Sequence, residues 1–220
     1  MSIGQKTFAA FLFDMDGTIL NSLASTERVW TRWAEKHGLD AAALMPTMHG
    51  KRAVDTIRGV GLPGIDVERE AADLTDAEVN DVDGVEPIAG AVSFLTALPS
   101  DRWAIVTSAP LDLATARLGA AGITPPPVLV TARDVAQGKP HPDGYQLAAR
   151  KLGVDVRDCL VFEDAPAGIQ AGEAAGATVA VVTATHRHAA GTRHFSFSSY
   201  ETLLVEIDGA GLRLLQIEPA

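Results

Sequence analysis

Two carboxylates and a glycine stand directly after an apolar run: Phe8-Ala9-Ala10-Phe11-Leu12-Phe13 leads into Asp14-Met15-Asp16-Gly17-Thr18. An apolar run this short reads as a buried strand of a parallel sheet. In open α/β sheets, ligands bind just beyond the carboxyl ends of the strands. Two acids at such a point are costly unless they hold a cation or do chemistry. Asp-x-Asp-Gly also occurs in ordinary turns, where Asp and Gly suit the local backbone, and in calcium loops. A helix–loop–helix calcium loop needs a Glu at its twelfth position; counted from Asp14 that position is Ser25, so this reading fails.

Three later segments share the placement of the first, where an apolar strand ends or in the loop just past one. Ile105-Val106-Thr107-Ser108 ends in two hydroxyls, and Pro110 suits the first turn of a helix. Hydroxyls with free backbone N–H groups at a helix start make an anion site; simple N-capping by Ser108 or Thr107 is the alternative. Gly138-Lys139-Pro140-His141-Pro142 is a stiff loop that presents one ammonium with little freedom to lose. Leu160-Val161-Phe162-Glu163-Asp164 ends in a second acid pair, and Ala165-Pro166-Ala167-Gly168-Ile169 begins a helix that Asp164 could instead cap. If the two acid-bearing strands are neighbours, four carboxylates converge. Such a cluster calls for a cation, and hard oxygen ligands select magnesium. The set suits phosphoryl transfer: magnesium and lysine neutralise phosphate charge, and hydroxyl and N–H groups hold its oxygens. An aspartate can attack phosphorus, and a second carboxylic acid can protonate the leaving oxygen and then deprotonate water.

These residues need a frame. Strands are expected at Phe8–Phe13, Trp103–Thr107, Val128–Val130, Cys159–Phe162 and Thr178–Val182, with helices at Ala89–Leu98, Leu111–Ala121, Asp143–Leu152 and Ala165–Ala175. That alternation predicts an α/β fold, a Rossmann-like doubly wound parallel sheet with helices on both faces. From Ser22 to Asp83 no strand is evident. Val29, Trp30, Trp33 and His37 fall at helical spacing, further helical stretches run near Lys51–Val60 and Val67–Val82, and Gly61-Leu62-Pro63-Gly64 separates them. The expected organisation is an α/β core over 1–18 and 87–220 and a small helical cap over 19–86, inserted after the first strand, with Trp30 and Trp33 as packing residues.

Composition narrows the partners. The chain has 220 residues, 47% hydrophobic and 21% charged, with a formal net charge of -10. That is ordinary globular composition, and a diffuse acidic surface disfavours nucleic acid and anionic membranes. The single cysteine, Cys159, lies in an apolar run and reads as a core residue. With no leader and no run of membrane-spanning length, the expectation is a cytoplasmic protein, by default a monomer. His186, His188 and His194 lie on a polar stretch without metal-ligand spacing and read as surface loop.

The four segments together resemble the haloacid dehalogenase superfamily in its phosphatase branch. The likeness rests on Asp14-x-Asp16-Gly17-Thr18, Thr107-Ser108, Lys139-Pro140-x-Pro142, and Glu163-Asp164 with Ala167-Gly168-Ile169, and it covers essentially the whole chain. The resemblance implies Asp14 as nucleophile and magnesium ligand, and Asp16 as general acid/base and ligand through its backbone carbonyl. It implies Thr107 and the Ser108 backbone as phosphate binders, Lys139 as the neutralising cation, Asp164 as a magnesium ligand, and Glu163 as a ligand directly or through water. Dehalogenases of this family lack the second aspartate, because a halide leaves without a proton; Asp16 therefore favours phosphate-ester chemistry. Within the branch the chain is similar to sugar- and polyol-phosphate phosphatases of the 2-deoxyglucose-6-phosphatase and glycerol-phosphatase types. Met48-His49-Gly50-Lys51-Arg52 resembles their cap segment, while Ala109 stands where relatives often carry glycine. The expected substrate is a small phosphorylated sugar or polyol, with His49, Lys51 and Arg52 as candidate cap contacts. A phosphosugar mutase of the same superfamily and, more remotely, a non-catalytic phosphometabolite-binding protein are the alternatives.

Overall fold

Alternation along the apolar runs divides the central sheet into two packed faces. The computed structural model describes residues 3–185 and 192–217; His186 and His188 lie outside them. In chain order come β1 (Thr7–Phe8), β2 (Ala10–Phe13) and β3 (Leu20–Asn21), then four helices: α1 (Leu23–Lys36), α2 (Ala41–Met48), α3 (Ala53–Val60) and α4 (Val67–Val79). The α/β alternation follows with β4 (Glu86–Pro87), α5 (Ala91–Thr96), β5 (Trp103–Val106), α6 (Leu111–Ala120), β6 (Leu129–Val130), α7 (Asp143–Leu152), β7 (Cys159–Glu163), α8 (Pro166–Ala175) and β8 (Thr178–Val182). β9 (Phe195–Phe197), β10 (Leu203–Asp208) and β11 (Gly211–Gln216) complete it.

The main sheet runs β6-β5-β2-β7-β8-β9, with every neighbouring pair parallel. The expected doubly wound parallel sheet is therefore the one found. The chain steps outward from β2 to β5 and β6, then crosses back to β7 on the other side of β2. The order thus reverses around β2, where the carboxyl ends of β5, β2 and β7 open a crevice. Phe11 and Phe13 of β2 pack on one face with Phe162 and Phe94, while Ala10 and Leu12 pack on the other with Val161 and Tyr145. Phe13 and Phe162 stack with ring centroids 4.4 Å apart. That contact ties together the two strands whose next residues are acidic, and aromatic pairs add about 0.5–1.5 kcal/mol beyond burial.

The helices α1–α4 build a separate apolar cluster of Val29, Trp30, Trp33, Leu44, Met48, Ile57 and Leu74. The short antiparallel pairing of β3 with β4 (Leu20↔Pro87, Asn21↔Glu86) stands at both ends of this segment. Trp30 and Trp33 are buried in it. Cys159 is fully buried, and desolvation pushes its thiol up to about 12, so it is an inert core side chain.

Three features differ from the sequence expectation. The run Phe8–Phe13 is not one strand: Ala9 N–H donates to Asp158 O, β1 pairs antiparallel with β11, and only β2 enters the parallel sheet. Ala41–Met48 is helical despite Pro46 because the Asp40 carboxylate accepts from Ala42 N and Ala43 N and caps its start. The β10–β11 hairpin, with Asp208 opposite Gly211, turns through Gly209-Ala210, and a glycine at the first turn position is a hairpin signal absent from the strands expected above. Among the described residues no helix is long and apolar enough to cross a membrane.

Candidate active site

The Asp14 carboxylate emerges from the end of β2 with its backbone N–H donating to Phe162 O of β7, so the two acid pairs sit at neighbouring strand ends. Asp14, Glu163 and Asp164 are buried, and each offers an oxygen within 4.8 Å of the others. Burial, with the charges of Glu163 and Asp164, pushes Asp14 well above the usual carboxylate range, while Lys139 opposes the shift. A cluster of this kind is what a hard cation relieves. Gly17 lets the chain turn tightly here: its φ is 83°, and a Cβ would sit 2.1 Å from Asp164 Oδ2. Glycine at that position thus keeps the acid cluster clear of the loop.

Lys139 reaches this cluster from the loop before α7, directly before a cis peptide bond to Pro140. Its ammonium is buried and contacts Asp14, Glu163 Oε1 at 2.7 Å and Val106 O at 3.0 Å. Burial disfavours the charge, but Asp14 and Glu163 outweigh it and raise the lysine above its ordinary value. Glu163 Oε1 also accepts from Tyr145 Oη at 2.7 Å, and Oε2 accepts from Asp164 N and Ala165 N. Both oxygens of Glu163 are therefore engaged by protein donors. Gly168 makes room for it, since a Cβ there would meet Glu163 Oε1 at 1.6 Å.

Neither capping alternative holds. The N-cap of α6 is Pro110 and that of α8 is Ala165, neither with a side-chain cap. Thr107 Oγ1 instead accepts from Ala109 N at 3.0 Å, and Ser108 Oγ donates to Gly50 O at 2.9 Å. Asp164 Oδ1 accepts from Thr18 Oγ1 at 3.2 Å.

Asp16 lies two residues beyond Asp14 along the chain. Its Oδ1 accepts from Ser22 Oγ at 2.6 Å and from Arg117 Nη1 at 2.9 Å, while Oδ2 receives no hydrogen bond from the described residues. Arg117, on α6, also donates from Nη2 to Thr26 Oγ1 at 2.9 Å and Glu78 Oε1 at 2.8 Å. The sequence reading missed Arg117, Glu78 and Tyr145. Arg117 lies in the last turn of α6, where an arginine ordinarily reads as solvated surface, yet it is only 4% exposed.

A cleft of about 90 Å³ joins these groups, lined by Asp14, Asp16, Thr107 and Asp164 from below and by Trp30, His49, Lys51 and Glu78 from the helical layer. The structure brings His49 and Lys51 to its wall, with Lys51 exposed. Arg52 is not on that wall: it pairs with Asp55 at 2.6 Å and donates to Ala136 O at 3.3 Å. His194 lies apart, paired with Glu173 at 2.8 Å.

A buried lysine, hydroxyls and converging carboxylates at adjacent strand ends form a site with the chemistry to handle a phosphoryl group. The family model for haloacid dehalogenase-like hydrolases matches residues 8–176. The chain is 42% identical over 178 residues to hexitol phosphatase A of Escherichia coli strain K12, covering 79% of this chain and 82% of that protein. It is 35% identical over 197 residues to glycerol-1-phosphate phosphohydrolase 1 of Saccharomyces cerevisiae, covering 80% and 75%. The crystal structure of a hydrolase from Pseudomonas syringae superposes with a TM-score of 0.71 at 26% identity, over 80% of this chain and 84% of that one. The protein described here belongs to the haloacid dehalogenase-like hydrolase family.

Proposed function

We propose that this protein is a magnesium-dependent phosphatase that hydrolyses small sugar or polyol phosphate monoesters through an aspartyl-phosphate on Asp14. The observation that carries the reading is the Asp14–Lys139–Glu163 cluster at the ends of β2 and β7, continuous with Asp16 at the mouth of the cleft. The resemblance to hexitol and glycerol phosphatases supports the substrate class.

The residues present fit a divalent cation. The Asp14 and Asp164 carboxylates and the Asp16 backbone carbonyl would hold it, and it would supply positive charge to the acid cluster and to phosphate oxygens. Glu163, with both oxygens engaged, would act behind this shell by fixing Lys139 and Asp164.

In the first step an Asp14 carboxylate oxygen attacks phosphorus, and the bond from phosphorus to the ester oxygen breaks. Asp16 Oδ2 gives its proton to the departing alkoxide, which leaves as the alcohol. Ser22 and Arg117 both bind Oδ1, which leaves Oδ2 as the oxygen for this transfer. In the second step Asp16 takes a proton from water, the hydroxide attacks phosphorus, and the bond to Asp14 breaks to release phosphate. Lys139, with Thr107 and the Ser108 backbone, offsets and holds the charge on the transferring group. The helical layer, as a cap over 19–86, excludes water while His49 and Lys51 face the substrate.

The test is phosphate release from a panel of sugar and polyol phosphates with magnesium and with a chelator. Asp14→Asn should lower turnover by at least about 10⁴-fold, the scale on which loss of a nucleophile acts, with circular dichroism unchanged. Retained turnover in that variant would overturn the assignment.

A further inference from the structure

The two sides of the cleft differ in chemistry. The sheet side carries the groups that meet phosphate. On the opposite side the buried charged group is Glu78, near Trp30, Met48 and Thr75. Arg117 meets both Glu78 and Asp16, so one positive charge stands between two negative ones. Its Nε–H is buried with no hydrogen-bond partner, which is uncommon for a buried polar atom. Of the other cations nearby, Lys51 is exposed on the cleft wall, where solvent screens its charge, and Arg52 is bound to Asp55 in two places.

We infer that Glu78 and Arg117 form a hydroxyl-reading pair that selects a monophosphate bearing hydroxyls beyond the ester oxygen and rejects a second phosphoryl group. The inference rests on the phosphatase reading above and names what that site admits. A hydroxyl both donates and accepts, so it can give its proton to the Glu78 carboxylate while accepting from the guanidinium. A phosphoryl dianion only accepts. It would meet the Glu78 charge in a site of low dielectric, beside an arginine already shared by two carboxylates, and like charges so placed are costly. The same pair bears on reaction type. Passing the phosphoryl group to a second hydroxyl of a phosphosugar creates a bisphosphate, whose other phosphoryl group must occupy this end of the cleft. Glu78 stands there, so water is the acceptor the site favours.

The experiment measures kcat/KM, with magnesium, on a hexitol monophosphate, a hexose bisphosphate, an alkyl phosphate of matching length and 4-nitrophenyl phosphate. For the unmodified protein the hexitol monophosphate should exceed both the alkyl phosphate and the bisphosphate by at least about 10²-fold, since a site built around a substrate hydroxyl discriminates strongly against its absence. Glu78→Gln should lower the ratio of hexitol to nitrophenyl ester by about tenfold and raise the ratio of bisphosphate to monophosphate; about tenfold corresponds to one hydrogen bond to a charged group. Near-equal values for the first three esters, or unchanged ratios in Glu78→Gln, would overturn the inference. The ester series needs no variant, so it decides the matter even if Glu78→Gln fails to fold. Absence of phosphate from all four esters would instead overturn the phosphatase reading, and this inference with it.

Discussion

Two buried cations in this molecule each stand between two carboxylates, and they differ in what they join. Lys139 holds Asp14 and Glu163, all three from strand ends or the loop beside them. Arg117 holds Asp16 from the sheet and Glu78 from α4 of the helical layer. The first cluster is positioned by hydrogen-bonded strands and by the Phe13–Phe162 stack beneath it. The second is positioned by how one layer packs on the other, with Thr26 of α1 adding a third anchor. In the proposed reaction, chemistry common to every phosphate ester belongs in the first place, because its geometry is fixed by the sheet. On the inference drawn from Glu78, discrimination among alcohols would belong in the second, on the side where the part of the substrate that varies would lie.

The comparison can be broken by a variant in each cluster. Lys139→Ala should lower kcat/KM by about 10²–10³-fold, the usual cost of removing one preorganised donor to developing charge, and by the same factor for hexitol and nitrophenyl phosphates. An effect confined to one ester class would move Lys139 into the selecting cluster. Arg117→Ala should act on stability as well as turnover. It leaves Glu78 and Asp16 without their buried counter-charge, which costs about 3–5 kcal/mol, and calorimetry should show a melting temperature lower by about 10 °C for a chain of this size. A shift of only a degree would mean that the two layers do not depend on this bridge.

A smaller effect sharpens the contrast from within the helical layer. Burial alone would raise Glu70, but hydrogen bonds from Lys36, His37 and Trp33 hold it down at about 2, against an ordinary 4.5. A carboxyl depressed in the folded state contributes stability that is complete above its unfolded value and lost as pH falls through the folded one. Glu70→Gln should therefore lower the melting temperature by a few degrees at pH 7, consistent with hydrogen bonds to a charged group. The difference from the unmodified protein should shrink as pH falls from 4.5 toward 2, in a series of melts across that range. A gap independent of pH would show that the Glu70 charge contributes nothing.

The two clusters also differ in how legible they were. Asp14, Asp16, Thr107, Ser108, Glu163 and Asp164 follow apolar runs, and Lys139 stands between a glycine and a proline, where residue type and position speak together. Arg117 and Glu78 lie within or near the ends of amphipathic helices, where charge usually means solvent, and only the packing of α4 against α6 buries them. Arg52 shows the converse. It stands beside His49 in a polar stretch, but Asp55 one turn on offers it a nearer partner than the cleft does. The strand rhythm through β8 was readable from alternation. The split of Phe8–Phe13 was not, because it depends on β11 arriving from the far end of the chain.

The claim that Asp14 carries the phosphoryl group is tested most directly by pre-steady-state hydrolysis of 4-nitrophenyl phosphate by Asp16→Asn. Nitrophenolate leaves without a proton, so the first step should survive, whereas water attack loses its base. The account predicts a burst of one nitrophenolate per chain and, after quenching, a phosphoryl adduct that maps to the peptide at Asp14. Steady release with no burst and no adduct, or an adduct on Thr107 or Ser108, would contradict it.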